Sequence, residues 1–141
     1  MIAEKFDVYA FGVIASSTIY LLKGDYPARS GYAEFTRKYK NIGGEAANSS
    51  LVLAHLGLKV GLDGSWVNPD EDADFLKKVL EDNQVDITSV SFRKCSGPKE
   101  MLVVDSNSRT IFGTYRQLSQ EKSWNLPEEA DIEKSNVVCL D

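Results

Sequence analysis

Gly43 and Gly44, followed one helical turn later by Asn48, are the residues of this chain best suited to chemistry with a small molecule. Glycine has no Cβ, so its backbone can lie against another group and can expose peptide N–H groups where a helix begins. An asparagine amide both donates and accepts, as a hydroxyl does. The pattern points to a site for a polar molecule. A plainer reading stands beside it: two glycines before a helix also make a tight turn, and asparagine in a first helical turn also bonds backbone.

Other reactive side chains carry less. His55, the only histidine, sits on the same predicted helix among apolar neighbours, without a serine or cysteine partner, and reads as structural. Asp70, Glu71, Asp72 and Asp74 read as a charged helix start rather than a cation site, so no metal ligand is assigned. Cys95 and Cys139 form no Cys-x-x-Cys pair and read as reduced thiols, with Cys139 packed in its apolar run. Trp66 and Trp124 read as core or interface packing.

The elements that must position Asn48 follow from hydrophobic period. Val8 to Ile14 is a nearly continuous apolar run, the mark of a strand buried on both faces at the centre of a parallel sheet. From Glu45 to Leu56, with Ala47, Leu51, Ala54 and Leu58 at helical spacing, a helix is predicted that Gly57 ends in a left-handed conformation. A strand at Lys59 to Leu62 follows. Asn68 is the predicted cap of a second helix, with Pro69 first and Glu71 completing a capping box. That helix runs to about Asp82 with a core stripe of Ala73, Leu76, Val79 and Leu80, and Lys77 and Lys78 near its end favour the dipole.

Val90 to Phe92 and Val137 to Leu140 read as further strands, the latter after a short acidic helix near Pro127. Alternating strand and helix means α/β. Two pairs of β-like runs interrupt this rhythm, near 18–23 with 32–41 and near 97–104 with 110–115. They predict a small antiparallel sheet beside the main one, with Met101 and Phe112 on its strands facing either a ligand or a partner subunit.

With 141 residues, 43% hydrophobic and 26% charged, the chain suits one domain with a real core, and no repeat or linker divides residues 1–141. A net charge of −5 without a basic, aromatic-interleaved stripe argues against nucleic acid. Charges in Met1 to Asp7 stand where a signal peptide needs apolar residues, and no run has membrane-spanning length, so a cytoplasmic protein without membrane association is expected.

In this order, Gly43-Gly44-Glu45-Ala46-Ala47-Asn48-Ser49-Ser50, then Leu56-Gly57 and Gly64, resemble the first signature of the ribokinase-like (pfkB) carbohydrate and nucleoside kinases. Leu80 to Val90 is similar to the family's stretch between a helix and the lid strand. The resemblance covers essentially the whole chain as the family's N-terminal half. It implies a partial three-layer α/β sandwich whose β-sheet lid closes over a sugar or nucleoside and often dimerises. It also implies transfer of the ATP γ-phosphoryl to a substrate hydroxyl with Mg²⁺, catalysed by positioning and charge neutralisation.

Under that resemblance, Gly43 and Gly44 match glycines lying against the substrate, and Asn48 matches an asparagine that bonds a sugar hydroxyl. Asp141 matches an acidic residue at a strand end near the sugar, where open α/β sheets place ligands. Ser17 stands where many members carry an aspartate that grips two substrate hydroxyls, and Glu45 where some carry lysine. The downstream family motif Gly-Ala-Gly-Asp does not occur in these residues. The expectation is therefore the acceptor-binding half of a kinase with no catalytic, nucleotide or metal residue of its own. Alone it should be inactive, with neither ATP nor Mg²⁺ bound, and should dimerise through the lid or recruit a second chain that completes the fold. The alternative is a non-catalytic module for small polar ligands or assembly; a dinucleotide-binding oxidoreductase is weaker, lacking Gly-x-Gly-x-x-Gly after the first strand.

Overall fold

The computed structural model describes residues 6–141; residues 1–5, which carry the charged start read above, lie outside the described residues. In chain order the elements are β1 (Phe6–Gly12), β2 (Ala15–Leu22), β3 (Phe35–Gly43), α1 (Glu45–His55), β4 (Val60–Gly64) and α2 (Glu71–Asp82). There follow β5 (Lys99–Val104), β6 (Arg109–Gly113), α3 (Tyr115–Glu121), α4 (Glu129–Glu133) and β7 (Ser135–Leu140).

The apolar run of β1 forms the middle of a parallel sheet ordered β4-β1-β7, with Val8 opposite both Val60 and Val137. β4 is buried along its whole length. Helix α1 packs on β1 and β4, and its buried side is Ala46, Ala47 and Ser50 rather than the wider stripe; Leu51 and Ala54 are partly buried, while Leu58 is exposed. Small residues on that side let the helix come close to the sheet.

The second sheet has the order β3-β2-β5-β6. Each hairpin is antiparallel, as predicted, but β2 and β5 join in parallel, so the sheet as a whole is mixed rather than antiparallel throughout. Met101 stands directly opposite Phe112, which puts both on one face of the sheet.

Four local expectations change. Asp70, not Asn68, caps α2: its carboxylate accepts from the Asp72 and Ala73 peptide N–H groups, and the Asn68 amide donates to it at 2.9 Å. Asn and Asp cap about equally well, and the Lys99 ammonium at Asp70 tips the choice. The last turn of α2 holds no basic residue; Lys77 lies over the Phe92 ring and Lys78 pairs with Asp82. Val90 to Phe92 forms only a single bridge, Val67 to Phe92, because its partner segment is irregular. Tyr115, read as the end of a strand, instead opens α3.

The ends of α2 and the second sheet are tied by ion pairs: Lys40 to Asp72 at 2.7 Å, and Lys99 to Asp70 and Asp72 at 2.9 Å each. The core of Ala10, Ile14, Ile42, Leu62, Leu76 and Leu80 joins both sheets to α1 and α2. Among the described residues no helix is long and apolar enough to cross a membrane.

Candidate functional site

β4 lies on one side of β1 and β7 on the other. The strand order thus reverses at β1, and ligands of open parallel sheets bind outside the carboxyl ends at such a point. Gly12 ends β1 there, Asp141 follows β7, and the Asp141 peptide N–H donates to the Phe11 carbonyl at 3.2 Å. The Asp141 carboxylate accepts from the Val13 N–H at 3.1 Å and from the Ala46 N–H at 2.9 Å. Gly44 precedes α1 without a side chain to cap it, so Asp141 supplies the anion that the helix N-terminus favours from a distant strand. Gly12 is required for this, since a Cβ there would lie 2.6 Å from the Asp141 Cγ.

The glycine pair makes its close approach within the protein. At φ +86°, Gly44 is in a conformation that side chains rarely adopt, and the Val13 carbonyl occupies the place of its missing Cβ. The corresponding space at Gly43 is taken by the Ser17 hydroxyl and the Glu100 carboxylate. Ser17 is buried and donates its hydroxyl to Glu100 Oε2. Alternation along β2 sends Ser16 towards α2, beside Asp70, Asp72 and Lys99, and Ser17 to the opposite face.

Asn48 is exposed on α1, one turn above this corner. Its peptide N–H bonds the Gly44 carbonyl at 3.0 Å, and its side-chain amide meets no partner among the described residues. Thus Gly43, Gly44, Ser17 and Asp141 converge on the entrance of α1, and Asn48 stands exposed about one turn into that helix. Glu100 escaped the sequence reading. It reaches Ser17 only through the parallel β2–β5 register, whereas the sequence pattern predicted antiparallel pairing alone.

Away from this corner, a concavity of about 500 Å³ is lined in part by Asp63, Ser89, Ser91, Trp124 and Asn125. Asp63, at the end of β4, is buried and accepts from Tyr9 Oη at 3.0 Å, Gly64 N–H at 2.7 Å and Asn125 Nδ2 at 2.5 Å. Burial raises its pKa against the lowering effect of these donors, and burial beside Asp63 also raises that of Tyr9. With its carboxylate filled by protein donors, Asp63 fixes the strand ends. The tryptophans pack as expected: Trp124 against Phe11, and Trp66 against Arg93 with its indole N–H on Asn125. Both cysteines are free thiols, half-buried. His55 is exposed in the last turn of α1. No group of three or more His, Cys, Asp or Glu side chains able to hold a metal occurs among the described residues.

Residues 16–141 match the profile of the pfkB family carbohydrate kinases. The chain belongs to this family. Comparison with curated proteins finds no match. Among solved structures, this pfkB-family chain resembles a nucleoside kinase of Methanocaldococcus jannaschii, an archaeal member of the ribokinase family, with a TM-score of 0.75 at 20% identity over 98% of this chain and 45% of that one. Halothermothrix orenii fructokinase gives 0.75 at 20% identity, over 95% and 45% respectively. Arabidopsis thaliana ribokinase, solved with ribose and ATP, gives 0.71 at 14% identity, over 96% and 45%. The fold is therefore the ribokinase-like α/β architecture, with one parallel and one mixed sheet. The chain spans about 45% of the length of these relatives.

Proposed function

We propose that this chain forms the acceptor-substrate half of an ATP-dependent kinase that phosphorylates a hydroxyl of a sugar or nucleoside. The observation that carries the reading is the corner where Gly12, Gly44 and Asp141 bring the ends of β1 and β7 to the entrance of α1. Gly43, Gly44, Asn48, Ser17 and Asp141 are its substrate-binding residues. The Asn48 amide donates to and accepts from a hydroxyl, Asp141 accepts from another, and the second sheet closes over the acceptor. The structural neighbours favour this class: a nucleoside kinase, a fructokinase and a ribokinase solved with ribose and ATP.

When bound, ATP with Mg²⁺ supplies the phosphoryl group; the residues described here bind and orient the acceptor and exclude water from it. The reading includes a cytoplasmic protein that pairs through the lid or with a second chain. Phosphoryl transfer by the full-length gene product, with ATP and Mg²⁺, against a panel of sugars and nucleosides tests it. Transfer to at least one is expected, and a folded protein that phosphorylates none refutes the reading.

A further inference from the structure

Position 17 holds a neutral hydroxyl where the acceptor site needs a strong acceptor, and the structure places a carboxylate beside it. The Ser17 hydroxyl donates to Glu100 Oε2, and the two residues are register partners on β2 and β5. Glu100 is half-buried, and its second oxygen, Oε1, meets no donor among the described residues. Gly43, with no side chain, leaves room for the pair at the foot of α1. Lys40 and Lys99 alternate onto the opposite face of the same sheet, where Asp70 and Asp72 hold them. The Glu100 carboxylate thus has no cation partner there, and it packs with the Ser17 hydroxyl on Gly43, next in sequence to the Gly44 that precedes the Asp141-capped helix α1.

On the kinase reading above, we infer that Glu100 is a specificity-determining residue: its carboxylate accepts hydrogen bonds from the acceptor's hydroxyls, with Ser17 fixing its orientation. A carboxylate oxygen accepts from hydroxyls more strongly than a serine does. The charged groups bonded to this corner, Glu100 and Asp141, are both anions. They attract hydroxyl donors and repel phosphate, so the substrate class is an uncharged polyol, a free sugar or nucleoside rather than its phosphate ester.

Steady-state kinetics of the full-length gene product test this. Wild type is assayed on sugars, nucleosides and their monophosphates, and Glu100→Gln on the best acceptor and its singly deoxygenated analogues. The expected kcat/KM loss in Glu100→Gln is about 10- to 100-fold for the parent acceptor, the range for a hydrogen bond to a charged group. The KM for ATP should stay unchanged, and the loss should vanish for the one analogue lacking the hydroxyl that Glu100 grips. The double variant Ser17→Asp with Glu100→Ser moves the carboxylate across the same contact and should restore acceptor binding, which a merely unfolded variant would not show. An unchanged kcat/KM in Glu100→Gln, or preference of wild type for phosphorylated acceptors, overturns the inference while the kinase reading stands. Wild type that transfers to no acceptor overturns both.

Discussion

Gly44 holds φ +86° with the Val13 carbonyl where a Cβ would stand, so Gly44→Ala meets both backbone strain and a steric clash. The expected cost is at least about 1–3 kcal/mol, read from equilibrium unfolding of the full-length protein. Asp63 makes a different demand. Its three donors require two acceptor oxygens, and Asp63→Asn would set an amide NH₂ against one of them. A loss of about 1–3 kcal/mol follows from leaving a buried donor unpaired; unaltered stability would show that the network carries no weight. At this scale the close packing at Gly43 and Gly44 was legible because it is local: absent side chains just before a helix's first turn. Glu100 was not. It lies 83 residues from Ser17, and only the parallel register brings them together.

Among the elements, α2 is the clearest case of a helix whose start is set by one side chain. Asp70 is desolvated, which raises its pKa, but the Asn68 amide, the Lys99 ammonium and the Ala73 N–H outweigh that and hold it down at about 2. A carboxylate depressed in the folded state contributes stability that is complete above its unfolded pKa, about 4, and is lost as pH falls towards 2. Asp70→Ala should therefore cost about 0.5–2 kcal/mol at neutral pH. Asp70→Asn, still a cap, should flatten the acid limb of stability between about pH 4 and pH 2. An acid limb unchanged in Asp70→Asn would refute this. The strands β1, β4 and β7 were readable as apolar runs, and the hairpins from their turn residues. The exact cap of α2 was not, since Asn68 and Asp70 are both good caps and tertiary partners such as Lys99 decide between them. Helix α3 gave no apolar period, and Val90 to Phe92 had β-branched character without a regular neighbour to pair with.

For the molecule as a whole, the parallel sheet ends at β7, where Val137 and Leu140 are more than half exposed and Val138 is also uncovered. An apolar edge strand of this kind invites pairing. Relatives of more than twice this length share the fold, and we expect the rest of such a protein, or a second copy, to cover that edge. Residues 1–141 alone should accordingly self-associate and transfer no phosphoryl group; light scattering that finds a stable monomer contradicts the first expectation. The central claim is that the entrance of α1 holds a hydroxyl-bearing acceptor, and Asn48 tests it most directly because its exposed amide has no partner among the described residues. In the full-length protein, Asn48→Ala should leave folding and the KM for ATP unchanged and lower kcat/KM for the acceptor about tenfold, the worth of about 1.4 kcal/mol of hydrogen bonding. An acceptor kcat/KM equal to that of wild type would contradict the account.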